Sequence, residues 1–306
     1  MSLHAAIELG GTKVVVGFGR DGALAEPVVR IPTTDPETTF RAVLEVLEAR
    51  QRDMGLDAIG VCSFGPVGVD PARSDYGFIL ETPKPGWSRF DLLDPLRRLG
   101  RPLGLATDVG GAALGEGRWG AAQGLADHAY VTVGTGVGVG IISGGKLVAG
   151  ALHPEAGHLP VSRDPGLDPY AGHCPFHGDC LEGLVCGPAL RDRIGQAADR
   201  LADDHPVWAL VADYLAQLAA SLSYTVSPER IVLGGGVGGR QALHRAIRTQ
   251  LSKRLNGYLP HLRTPEAIEA YLVLPGLGDL SAIMGGLVLA EQAMIHTDLP
   301  PQRLTR

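Results

Sequence analysis

The chain is poor in aromatic residues, at 5% of 306, and holds only 4 cysteines. So few cysteines exclude a disulfide-built scaffold. No apolar run approaches the roughly 20 residues that a membrane span needs, so no membrane partner is expected. The opening stretch MSLHAAIELGG lacks a basic region followed by an apolar core, which argues against a secretory signal. A cytoplasmic protein with reduced thiols is therefore expected. Neither a charge block nor a low-complexity segment occurs. A formal net charge of −6 gives no general electrostatic footprint for nucleic acid. At 306 residues the chain is long for one core, so two domains or one large α/β unit is expected.

What the chain has in quantity is glycine, 43 residues, clustered in IELGGTK, VGTGVGVG and LGGGVGG. Clusters of this kind mark tight turns or close backbone approach to a ligand. Residues 3–9 read as a strand, GGT as a turn, and 13–18 as the next strand, with a third at 28–31. The spacing of Phe40, Val43, Leu44 and Leu47 predicts a helix over 36–54. A buried strand follows at 57–64, then a long Pro- and Gly-rich loop to 88. A short strand at 103–107 leads to a helix that Asp108 opens and that runs to Trp119. The outline then repeats: HAYVTVGTGVGVGIISGGKLVAG reads as a three-strand meander whose first turn is again glycine and threonine. Helical stretches cover 181–225. A strand at 230–236 runs into a glycine loop before a helix at 239–255, and a strand at 271–276 precedes a last helix at 279–297. The tail PPQRLTR is expected to be loose. Two similar α/β halves result, each opened by a turn that exposes backbone N–H groups, which suits phosphate. The plainer alternative is that both are simply hairpin turns. Neither GxxxxGK[ST] nor a strand-to-helix GxGxxG is present.

The densest chemistry lies in GHCPFHGDCLEG. Cys174, His177 and Cys180 are spaced C-x2-H-x2-C, and His158 lies upstream in EAGH. Two thiolates and two imidazoles make a closed tetrahedral zinc set, hence a structural one. His173 competes with His158 as the fourth ligand, and a Cys174–Cys180 disulfide or no metal stay open as alternatives. Cys62 and Cys186 read as small buried hydrophobes. Asp108 reads either as a helix N-cap or as a carboxylate presented over a substrate hydroxyl. Glu155 and Glu182 flank the proposed metal segment and would pair with vicinal sugar hydroxyls, or be solvated surface acids. Lys13 follows the first glycine turn, where it would meet phosphate or be a strand-edge lysine. Glu8 ends the first strand and would hold a water of a phosphate-bound magnesium ion.

IELGGTK, TDVGGAALGEGRWG, VTVGTGVGVG, EAGH, CPFHGDCLEG, GPA and VLGGGV occur in the order found in the ROK family of sugar kinases. SFGPVGVDPARSDYGFILETPKPGW and PGLGDLSAIMGGLVLA resemble its fructokinase branch. The resemblance spans nearly the whole chain. It implies an α/β fold of two actin-like, ribonuclease-H-like domains with an interdomain cleft: residues 1–117 plus 281–306, and residues 118–280 with the zinc-binding loop. ATP with magnesium would meet Gly10, Gly11, Thr12, Lys13, Gly134, Thr135, Gly136, Gly187, Pro188, Gly234, Gly235 and Gly236. The sugar would meet Asp108, Glu155, His158 and Glu182, and His158, Cys174, His177 and Cys180 would bind zinc. Asp108 would be the catalytic base, of ordinary acidity near pKa 4. The implied reaction is phosphorylation of D-fructose at O6 by ATP. A kinase of glucose, mannose or an N-acetylated hexosamine, or a non-catalytic sugar-binding protein, is the alternative. A homodimer is implied by analogy. Three positions depart from the family pattern: Thr107 and Gly110 stand where asparagine is usual, and Val139 where glycine is. A repressor of the same family would carry an amino-terminal DNA-binding domain; with the glycine hairpin starting at Ile7, none is expected.

Overall fold

The computed structural model describes residues 3–297; the tail PPQRLTR lies outside them. The chain divides into two compact units. One holds residues up to Trp119, Ala149–His153 and the stretch from Leu280; the other holds Gly120–Val148 and Pro154–Asp279.

In the first unit the strands are β1 (His4–Leu9), β2 (Lys13–Arg20), β3 (Ala23–Leu24), β4 (Val29–Pro32), β5 (Ala58–Ser63) and β6 (Leu103–Thr107). They form one sheet in the order β3-β2-β1-β5-β6, with β4 also pairing β2. The hairpin β1–β2 is antiparallel, while β1, β5 and β6 run parallel. In β1, Ala5, Ile7 and Leu9 share one core with Phe40, Val43, Leu44 and Leu47 of the helix Pro36–Met54. That helix starts where expected because Asp35 Oδ1 accepts the Thr38 N–H at 2.9 Å and Pro36 follows, and it stops at Gly55, φ 75°. The helix Ser281–Thr297 packs on β1 and β5. Its backbone comes so near that a Cβ on Gly60 would sit 1.8 Å from the Gly286 carbonyl.

The second unit repeats the plan. Its strands are β7 (His128–Val133), β8 (Val137–Ser143), β9 (Lys146–Leu147), β10 (Arg230–Gly234) and β11 (Leu272–Val273). The order is β11-β10-β7-β8-β9, the same path as β6-β5-β1-β2-β3. In both, an antiparallel meander is extended on its first strand by parallel strands. Val131, Val133, Val137, Val139, Ile231 and Leu233 share a core with the helices Leu181–Val185, Val207–Thr225 and Gln241–Leu255. Val139 is thus a core side chain.

Several expected boundaries move. The strand expected over 271–276 is only Leu272–Val273, because Tyr271 still belongs to the helix Pro265–Tyr271. The stretch 181–225 contains three α-helices, interrupted at Cys186 and between Gly195, which is left-handed at φ 80°, and Pro206. The glycine run after β10 is a helical turn, Gly235–Gly238, and the following helix starts at Gln241.

Candidate active site

Parallel strands collect ligand-binding groups at their carboxyl ends, where the chain leaves the sheet. In the first unit, Leu9, Ser63 and Thr107 stand level across β1, β5 and β6. The residues that follow them are Gly10, Phe64 and Asp108, so the glycine turn and the aspartate emerge from one edge. Strand spacing sets β1 and β6 roughly 10 Å apart.

The turn Gly10–Lys13 is closed by the Gly10 N–H on the Lys13 carbonyl at 3.0 Å. Its other carbonyls are also taken: Thr33 Oγ1 donates to Gly10 O at 2.9 Å, the Thr33 N–H to Thr12 O at 3.0 Å, and Lys84 Nζ to Gly11 O. The N–H groups of Gly11 and Thr12 donate to no partner among the described residues. The turn therefore offers donors outward. Lys13 is exposed at the start of β2. Thr33 and Lys84 escape the sequence reading, since nothing in a loop's spacing says which turn it will cover.

Asp108 is not the N-cap of its helix. Thr107 is: its Oγ1 accepts the Gly110 N–H at 2.9 Å. Asp108 takes the first helical position, half-buried, with Oδ1 accepting the Val109 N–H at 2.8 Å. Desolvation outweighs that hydrogen bond and pushes its pKa up to about 6. The ordinary value near 4 expected from sequence is corrected on this ground. Cys62 is fully buried in β5, with Sγ on the Ala282 carbonyl at 3.3 Å.

In the second unit, three glycine motifs meet at the end of β7. The Gly134 N–H closes the turn on Gly136 O at 2.9 Å, and the Gly187 N–H donates to Gly134 O at 2.7 Å. A Cβ on Gly134 would lie 3.9 Å from Gly236 N. Gly235 has φ +88°, and a Cβ there would strike Val133 O at 2.5 Å, so only glycine fits. Pro188 sits in the first turn of the helix Gly187–Ile194, and Thr135 is exposed at the hairpin tip. Glu182 Oε2 accepts the N–H of Val137, the next residue of the same hairpin, at 2.9 Å.

Beside this hairpin lies the Cys/His cluster. His158, Cys174, His177 and Cys180 each aim one donor atom inward, all within 4.8 Å of one another. His158 Nδ1 is 3.5 Å from Cys180 Sγ and 3.8 Å from Cys174 Sγ, which is 3.6 Å from His177 Nδ1. Tetrahedral zinc with sulfur at ~2.3 Å and nitrogen at ~2.0 Å sets such pairs roughly 3.6 Å apart. The donor set therefore fits that ion. His173 is excluded from it, since its Nδ1 meets Asp192 Oδ2 at 2.5 Å. All four cysteines are free thiols. Glu155 precedes the 3-10 turn Ala156–His158, and its carbonyl accepts the His158 N–H at 3.0 Å. That turn rests on the second hairpin: a Cβ on Gly157 would lie 1.9 Å from Val137 O.

The expected sugar set is divided between the units. Asp108 belongs to the first, while Glu155, His158 and Glu182 gather around the β8 end of the second. A model of the ROK family matches residues 4–293. The chain belongs to the ROK family. Among its ROK relatives, it is similar to the fructokinase of Pediococcus pentosaceus, 41% identical over 95% of this chain and 99% of that one. It is also similar to the fructokinase of Zymomonas mobilis, 38% identical over 95% and 97%. Among solved structures, it is similar to the ROK hexokinase of Thermus thermophilus, with a TM-score of 0.76, 27% identity, and 96% and 99% of the two chains covered. Its two sheets with their helices are the two-domain, actin-like ROK fold.

Proposed function

We infer that this chain is an ATP-dependent fructokinase, which moves the γ-phosphoryl group of ATP to O6 of D-fructose and releases ADP and fructose 6-phosphate. The observation that carries the kinase reading is the level register of Leu9, Ser63 and Thr107. It brings a turn of outward N–H donors and a carboxylate of raised pKa to one sheet edge. The choice of fructose is supported by whole-length relatives named fructokinase at 41% and 38% identity. The glucokinase of Halalkalibacterium halodurans is 26% identical.

In this reading Asp108 accepts the proton of the O6 hydroxyl as O6 forms its bond to the γ-phosphorus. The bond from that phosphorus to the bridging oxygen breaks, and ADP leaves with the electron pair. The transition state is loose, so positioning and charge neutralisation matter more than proton removal. Gly11 and Thr12 supply amide donors for the phosphoryl group; Gly134–Gly136, Gly187, Pro188 and Gly234–Gly236 hold the rest of the nucleotide. Lys13 adds positive charge at the first turn. Glu155, His158 and Glu182 orient the sugar.

Magnesium fits this acid-bearing sheet edge: Glu8 stands level with Cys62 across β1 and β5, and burial first, then the charges of Glu8 and Asp108, push the Cys62 thiol up. Bound to the phosphates, it would supply charge neutralisation, and Glu8 would hold one of its waters. Zinc on His158, Cys174, His177 and Cys180 would be structural, because four protein donors leave no site for water. No helix among the described residues is long and apolar enough to cross a membrane. A cytoplasmic homodimer completes the reading on family resemblance, and sedimentation velocity tests the dimer.

The test of function is ADP release from ATP with a panel of hexoses. Fructose should give the highest kcat/KM. A preference for glucose, mannose or an N-acetylated hexosamine would move the chain to another sugar, and no turnover with any of them would leave a binding protein.

A further inference from the structure

Lys84 lies in the long loop after β5, between two prolines that restrict the backbone on either side. Its backbone is tied three residues on, where the Trp87 N–H donates to Lys84 O at 3.2 Å. Trp87 is fully buried, with its indole N–H on Thr34 O at 2.8 Å. The backbone that carries this lysine is therefore anchored. Its ammonium donates to Gly11 O and lies 5.8 Å from the centroid of the Phe64 ring. Phe64 in turn packs edge-on against Trp87 at 5.4 Å.

The position is informative. Gly11 belongs to the donor turn after β1, Phe64 leaves β5, and Asp108 leaves β6. β5 stands between the other two strands. An ammonium bonded to Gly11 and held over Phe64 thus sits on the span between the donor turn and the base. That span, roughly 10 Å across two strand spacings, has room for one hydroxyl and one phosphoryl group in line. Among the described residues Lys84 forms no ion pair with a carboxylate. A half-buried ammonium has three protons to place, and its recorded oxygen partner is a single carbonyl. Burial also pulls this lysine below its usual range.

We propose that Lys84 is a catalytic residue of the phosphoryl transfer, contacting the γ-phosphoryl oxygens with the protons left over from its bond to Gly11. The proposal rests on the kinase reading above. Its role is charge stabilisation: negative charge spread over the equatorial oxygens of the moving group meets a fixed cation. Lys13, exposed at the start of β2, makes no side-chain hydrogen bond or ion pair among the described residues.

The plain competitor is that Lys84 only staples the turn. Binding and kinetics separate the two. Lys84→Met should lower kcat by about 10²–10³-fold with the KM for fructose nearly unchanged. Affinity for ADP should stay within about twofold, while affinity for a non-hydrolysable β,γ-imido ATP analogue should fall about tenfold or more, the scale of a lost charge-assisted contact. Lys84→Arg, which keeps the charge, should recover part of kcat. In the parent protein, the imido analogue should protect Lys84 from acylation and ADP should not, as read by mass spectrometry. That last measurement needs no variant to fold. Equal loss of ADP and analogue affinity, or equal acylation with both nucleotides, means a staple and overturns the proposal. A parent that phosphorylates fructose while Lys84→Met keeps its rate overturns it alone. A parent with no hexose-dependent ATP turnover overturns the kinase reading and this proposal together.

Discussion

Gly110 donates its N–H to Oγ1 of Thr107 at 2.9 Å, and this bond decides what Asp108 is free to do. With Thr107 as the cap, the carboxylate one residue later gives the helix end a single oxygen, Oδ1, which accepts the Val109 N–H. Asp108 is half-buried and held near pKa 6 by desolvation. A base about two units stronger than an exposed aspartate results.

Asp108→Asn should therefore lower kcat by about 10²–10⁴-fold, the range of a positioned general base, while ATP still binds. The same substitution should stabilise the fold at neutral pH. A carboxylate whose folded pKa is raised above its unfolded value costs stability when ionised. That cost is full above pH 6 and vanishes below the unfolded value near 4. The gain should be on the order of 1–3 kcal/mol at pH 8 and smaller at pH 5. Thermal melts at the two pH values check it. A variant with near-parental turnover removes Asp108 from the base role.

The acid limb of the rate profile follows from the same group. A base must be ionised, so kcat/KM for fructose at saturating ATP should bend downward as pH falls through about 6 and approach a tenfold loss per unit. An unperturbed aspartate would place that bend near 4. A profile flat from pH 7 to 5 contradicts the raised value.

Much of this was legible beforehand, and particular residues show why. The helix Pro36–Met54 carries its start signal in Asp35-Pro36 and its buried face in Phe40, Val43, Leu44 and Leu47. Both glycine hairpins and the four candidate metal donors are local or nearly local patterns. The helix Pro265–Tyr271 had a start signal too, since Thr264 Oγ1 accepts the Ala267 N–H at 3.2 Å, but its short apolar face reads equally as strand. Other features depend on register, which no spacing encodes. Gly134 and Gly236 converge because β7 and β10 pair side by side, and Gly187 joins them through its N–H on Gly134 O. Asp108 owes its raised pKa to burial, and Lys84 reaches Gly11 across 73 residues.

Removing the metal should undo the segment from His158 to Cys180 before the rest. With no ion, two imidazoles and two thiols crowd within 4.8 Å, and the turn is left to the backbone bonds between Cys174 and Gly178. Purified protein should carry one zinc per chain by elemental analysis. Chelation should lower the melting temperature, expose Cys174 and Cys180 to thiol reagents, and weaken fructose binding more than ADP binding. Cys174→Ser should do the same without a chelator. Intact fructose affinity in a zinc-free, folded protein would end the idea that the ion shapes the sugar site.

Glu182 has two possible employers, and two substitutions tell them apart. Its Oε2 already accepts the Val137 N–H at 2.9 Å, which ties the end of the metal segment to the second glycine hairpin. Its other oxygen is the one available to a sugar hydroxyl. Glu182→Gln keeps an acceptor for Val137 but loses the charge, so the KM for fructose should rise while that for ATP stays within about threefold, as one hydrogen bond is merely weakened. Glu182→Ala leaves the Val137 N–H without its partner, at a cost of about 1–3 kcal/mol. Both Michaelis constants should then rise and the melting temperature fall. If Glu182→Gln raises the KM for ATP and leaves that for fructose alone, Glu182 serves the hairpin and not the sugar.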